Sequence, residues 1–100
     1  MSIALEQALN ILRRNADALR ARGALHVAVF GPVARGEARV DSDLGVMVEV
    51  DADRHIGLFG HAGLCEDLKD RFPAKVDVAT LKPLFRESIL SDAVYAFQGF

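Results

Sequence analysis

Apolar residues recur at a helical interval at the start of the chain and at an interval of two by its middle. From Ser2 to about Arg22, the positions Leu5, Leu9, Leu12, Ala16 and Leu19 fall on one helical face. Ser2 can cap this helix, and Gly23 supplies a left-handed stop. Leu25 to Phe30 is a short apolar run with β-branched residues and reads as a buried strand. The Gly31-Pro32 turn ends it, and a short helical turn follows through Arg35. Asp43 to Val50 alternates, with Leu44, Val46, Val48 and Val50 on one face and Asp43, Gly45, Met47 and Glu49 on the other. A second long helix is predicted from about Asp53 to Arg71, through Ile56, Phe59, Leu64, Leu68 and Phe72. Gly57, Gly60 and Gly63 each cost it about 1 kcal/mol relative to alanine; they either permit close packing or leave the segment loose.

Lys75 to Ala79 reads as the third strand, and a final helix is predicted from about Lys82 or Pro83 to Phe97. It carries Leu84, Phe85, Ile89, Leu90, Val94, Tyr95 and Phe97, a wider stripe than one core-facing side requires. Such a helix is either clasped between two parts of its own core or presents a face to a partner. The pattern as a whole predicts an α/β fold, a short mixed sheet of about three strands flanked by helices.

Composition narrows this further. The 100 residues suit one domain, spanning 1–100, with one core. Apolar residues make up 51% before the eight glycines are added, above the roughly 45–50% usual for a count that includes glycine. A small domain with so much apolar surface is expected to bury some of it against a partner or in a homo-oligomer. The net charge of −2 gives no electrostatic case for direct nucleic-acid binding. Arg13, Arg14, Arg20 and Arg22 read as a solvated helix end, where cations meet the helix dipole favourably. No apolar run approaches the roughly 20 residues of a membrane span, and the first residues lack a basic signal-peptide region. The single Cys65 excludes an internal disulfide and suits a reducing cytoplasm.

The candidate chemistry lies between the first strand and the third. On an extended strand, positions 43 and 45 stand side by side, and an acid at each would form a clamp of hard oxygen ligands for magnesium. Asp77, between Val76 and Val78, could project toward the same face. Position 45 is glycine, so one of three ligands is missing. A Gly-Ser turn at a strand end can offer backbone N–H groups and a hydroxyl to phosphate. Gly31 keeps the close backbone approach, whereas Pro32 removes both the hydroxyl and an N–H donor. Arg35 and Arg39 remain as phosphate contacts. Taken singly, Asp41 and Ser42 could make an ordinary turn and Asp43 could simply begin a strand; their joint spacing favours a site.

On these residues the chain resembles a minimal nucleotidyltransferase (MNT) domain of the DNA polymerase β-like superfamily. That family's pattern is Gly-Ser, ten residues, then Asp-x-Asp, with a third Asp on a later strand. Here Gly31-Pro32, ten residues and Asp43-Leu44-Gly45 keep the spacing, with Ala34-Arg35-Gly36 and Asp41-Ser42-Asp43 as flanks and Val76-Asp77-Val78 as the third element. The resemblance covers most of the chain. It implies a small nucleotidyltransferase fold and transfer of a nucleoside monophosphate, often AMP from ATP, with Mg²⁺. It implies Asp43 and Asp77 as the catalytic and metal-binding acids, able to hold one Mg²⁺ weakly. It places Gly31, Arg35, Gly36 and Arg39 around the phosphates. Many small members are antitoxins paired with a helical HEPN ribonuclease toxin. With Pro32 and Gly45 in the site, a degenerate antitoxin acting by partner binding is expected. The alternatives are an active adenylylating enzyme and a nucleotide sensor.

The remaining polar residues read as structural. His26 lies inside a strand and is read as packed. His55 and His61 are off the spacing of ligands on one helix face, and His61 with Cys65 supplies too few ligands for zinc. Tyr95 reads as a core or interface aromatic, and Met47 as a filler of the space beside Gly45.

Overall fold

The computed structural model describes residues 3–37, 39, 43–80 and 93–97. The stretch read as one opening helix is two, α1 (Leu5–Arg14) and α2 (Ala16–Ala21). The break falls at Asn15. Its side-chain amide donates to the Ile11 carbonyl at 2.7 Å, and its backbone N–H is shared between the Ile11 and Leu12 carbonyls at 3.2 Å each. An asparagine side chain competing for a helical carbonyl is a physical cause for the interruption. The Asn15 Oδ1 also accepts from the Arg71 guanidinium, which ties the break to a distant helix end. The expected cap, Ser2, lies outside the described residues; Ala4 holds the cap position and makes no side-chain bond. Gly23 follows α2 at φ +107°, where a side chain would be strained.

A four-stranded sheet forms the frame, in the order β3 (Val76–Thr80), β2 (Leu44–Val50), β1 (Ala24–Phe30), β4 (Val94–Phe97). β1 runs antiparallel to β2 and to β4, while β2 and β3 are parallel. Between β1 and β2 lies the short α3 (Pro32–Arg35). The parallel pair requires a crossover, and α4 (Gly57–Asp70) provides it.

The sheet therefore has one strand more than expected, because Val94–Phe97 is a strand and not the end of a helix. Residues 81–92, which carry the rest of that expected helix, lie outside the described residues. Val94, Tyr95 and Phe97 suit a pleated surface, and four residues are too few for periodicity to decide. Pairing does decide: β4 satisfies the edge of β1 that β2 leaves open.

One face of the sheet carries the core. Val27, Val29, Leu44, Val46 and Val48 pack with Leu12, Leu19, Leu64 and Leu68, all fully buried. Each such side chain contributes about 1.5–3 kcal/mol by leaving water. The second face holds a smaller cluster, Ala28 and Met47 with Phe30, Ala93 and Tyr95, to which no described helix contributes.

α4 starts later than the sequence suggests. A 3₁₀ turn covers Ala52–Arg54, His55 adopts φ +49°, and the helix begins at Gly57. Arg54 accounts for the detour, since its guanidinium donates to the Arg20 and Ala21 carbonyls at 2.6 and 2.8 Å. Both carbonyls lie at the end of α2, where intrahelical donors run out; Arg20 O also accepts from Gly23 N–H at 3.0 Å. Ile56 then fits against Gly23 and Gly60; a Cβ on either glycine would come within 2.8 Å of its side chain. At Gly60, then, the glycine serves close packing.

Leu64, Leu68 and Phe72 are buried as expected, but Phe59 is 91% exposed and Leu58 81%. At 100° per residue, a position five before Leu64 is turned well off the buried face. The arginine cluster makes contacts that the sequence did not suggest. Arg13 donates to the Ala96 carbonyl at 3.1 Å, the Arg20 guanidinium sits 4.6 Å from the Phe97 ring centre, and Arg22 lies 3.4 Å from Asp67. All four arginines are exposed, as expected of a solvated end, but three of them also reach from α1 and α2 to β4 and α4. No described helix is long and apolar enough to cross a membrane.

Candidate active site

The turn after β1 is built on Gly31, whose φ of +79° and ψ of −156° suit glycine alone. Pro32 takes the first position of α3, where its ring pre-sets the backbone and the lost N–H is no cost to the helix. It is thus a good folding residue and a poor phosphate ligand. The turn closes through Arg35 N–H to the Gly31 carbonyl at 3.2 Å and Glu37 N–H to the Pro32 carbonyl at 2.8 Å. Gly36 caps α3 in the left-handed region. Arg35 is exposed, with its Nε 3.1 Å from a Glu37 carboxylate oxygen, and Arg39 is exposed in the connection to β2. A cleft of about 570 Å³ lies beside this turn, between the start of α1 and α3. Its walls include Ile3, Leu5, Val33 and Arg35, and it contains neither candidate acid.

Strand register brings the acids together. Gly45 is paired with Asp77 across the parallel β2–β3 ladder, so their faces coincide. Asp43 immediately precedes β2, two residues from Gly45 and on the same side. Leu44 N–H donates to the Lys75 carbonyl at 3.0 Å, which sets Lys75 opposite Asp43. The Lys75 ammonium then lies 3.8 Å from Asp43 Oδ2. Asp77 is exposed and makes no ion pair with any described residue.

On its other side, Gly45 faces Phe30, its partner in the β1–β2 ladder. A Cβ at position 45 would stand 2.8 Å from the Phe30 carbonyl oxygen and 3.1 Å from two carbons of its ring. The space beside Gly45 is therefore taken by Phe30, not by Met47 as expected; Met47 is buried further along the same face with Ala28. Two residues of the site were thus missed in the sequence, Phe30 and Lys75. Both follow from alternation once the register is known. Phe30 opposes Gly45, and Lys75 stands two residues before Asp77 on the same face.

Asp43 and Asp77 form a pair of carboxylates, one of them facing an ammonium. Among the described residues no group of three or more His, Cys, Asp or Glu side chains is placed to hold a metal ion. The donor set does not fit a two-metal centre, because the position that would supply the third carboxylate has room for no side chain.

Elsewhere on the sheet, His26 is a packed histidine. Its Nε2 lies 3.1 Å from Glu49 Oε2 on the neighbouring strand, and its ring meets Tyr95 edge-on at 6.1 Å. His61 Nε2 lies 2.6 Å from Thr80 Oγ1, and Cys65 Sγ lies 3.9 Å from His61 Nδ1. Burial pushes the Cys65 thiol above its usual range, with Lys69 opposing the shift and Glu66 adding to it.

Comparison with known proteins places this geometry. The model of the nucleotidyltransferase domain family matches residues 5–98. A protein from Methanocaldococcus jannaschii, provisionally named the protein adenylyltransferase MJ1379, is 32% identical, over 91% of this chain and 96% of its own. A solved structure described provisionally as a minimal nucleotidyltransferase is 39% identical with a TM-score of 0.61, covering 86% of this chain and 93% of that one. A Sulfolobus solfataricus structure, provisionally described as a nucleotidyltransferase, shares the fold at 17% identity and a TM-score of 0.58, covering 88% and 78%.

Proposed function

Given that the chain belongs to the nucleotidyltransferase domain family, we propose that it acts by binding a protein partner, as the antitoxin of a pair with a helical HEPN-type ribonuclease. The observation that carries this reading is the contact of Phe30 with Gly45. At the position where the family pattern has its second acid, a side chain would meet the Phe30 carbonyl and ring. Family members couple two metals to nucleotide transfer, and a lost ligand removes charge stabilisation worth orders of magnitude in rate. The exposed Leu58 and Phe59 at the start of α4 supply an apolar surface suited to a partner helix. The lone thiol agrees with a cytoplasmic setting.

Co-expression with a HEPN protein encoded beside it is the test. Asp43→Ala and Asp77→Ala should leave neutralisation intact, whereas Phe59→Ser should weaken the complex by about tenfold or more. Loss of neutralisation in either folded aspartate variant would falsify the reading.

The M. jannaschii relative, by its name, favours a second reading: transfer of AMP from ATP to a hydroxyl of a protein, with release of pyrophosphate. In that case Gly31, Arg35, Gly36 and Arg39 would surround the phosphates. ATP labelled at the α-phosphate should then label the partner; an unlabelled partner in the presence of either Mg²⁺ or Mn²⁺ ends this reading.

A further inference from the structure

We propose that Lys75 serves as the resident cation of this site and competes there with divalent cations. The argument starts from the backbone. The Leu44-to-Lys75 hydrogen bond sets Lys75 in register beside Asp43, which puts its ammonium within 3.8 Å of Asp43 Oδ2. Such an exposed pair adds little to stability. Its effect is on what else can bind.

A divalent ion approaching Asp43 must displace the ammonium or sit beside it, and repulsion at about 4 Å is felt even in water. Lys75 also cancels one of the two carboxylate charges that would attract the ion. The usual remedy, a further carboxylate on β2, is blocked by Phe30 over Gly45. Asp77 makes no ion pair with any described residue, but one free carboxylate is not enough, since hard divalent ions need several oxygen ligands.

This inference rests on the family's placement of the ion, not on the identity of a partner. Its test uses the isolated chain and Mn²⁺, with binding read by electron paramagnetic resonance. The native chain should bind Mn²⁺ weakly, and Lys75→Met should tighten binding about tenfold. Lys75→Arg, which keeps the charge, should behave as the native chain does. Adding Asp43→Asn to Lys75→Met should remove the gain. Lys75 is 83% exposed, so its replacement leaves the fold intact, which circular dichroism checks. Equal Mn²⁺ affinity in the native chain and Lys75→Met overturns the proposal, as does a gain that survives Asp43→Asn. Failure of toxin neutralisation would overturn the partner reading and leave this result standing.

Discussion

Two cross-strand pairs on one face of the sheet, Phe30 with Gly45 and His26 with Glu49, join the same two strands and solve opposite problems. At the turn end, a large ring lies where its partner has no side chain. At the far end, two polar side chains meet at 3.1 Å under the edge of Tyr95. The first pair works by exclusion, and the second sets a histidine nitrogen beside a largely buried carboxylate oxygen that has no hydrogen-bond partner among the described residues. A substitution should therefore act differently at each end. Adding atoms is costly at Gly45, and removing a partner is costly at Glu49.

The largest effect should come from Gly45→Asp. It forces a Cβ against a backbone carbonyl and sets a carboxylate beside an aromatic ring, so stability should fall by about 3 kcal/mol, read from the urea midpoint. An unchanged midpoint would show that Phe30 yields, and the contrast between the two ends would disappear. Glu49→Ala should cost about 1 kcal/mol by leaving the His26 ring nitrogen without its carboxylate. A cost as large as that at Gly45 would mean that the polar pair, too, is set by packing. Tyr95→Phe is the smallest step. It keeps the edge contact with His26 and should change stability by less than about 0.5 kcal/mol. A larger loss would assign the hydroxyl a bond in the cluster and sharpen the description of that end.

The strands beside the acids were legible because alternation survives in them: in β2, Val46 and Val48 face the core, while Gly45 and Met47 face away. The spacing from Gly31 to Asp43 and on to Asp77 marked the family for a related reason. Those residues sit at strand ends, where local sequence sets the turn. What escaped depended on tertiary partners. Asn15 breaks a helix through a bond to Ile11 and is held by Arg71. Arg54 delays α4 by capping α2. Val94–Phe97 becomes a strand because β1 has an edge to offer. Phe30 and Lys75 looked unremarkable in sequence because their roles exist only across the ladder. The glycine at position 45 could be read as a loss, but its consequence, a filled cradle, could not.

The position of β4 has a further consequence, in the order of assembly. β1 and β2 are near neighbours in the chain and can pair early, whereas β4 reaches β1 only after nearly the whole sequence is in place. Contacts of such long separation form late, since loop-closure entropy must be overcome first. Once docked, β4 is held by its ladder with β1, by Arg13 at Ala96 and by Arg20 at Phe97. The last strand to arrive is thus secured by side chains from the first helices, and its amides should be the earliest in the sheet to exchange with solvent when that clasp opens.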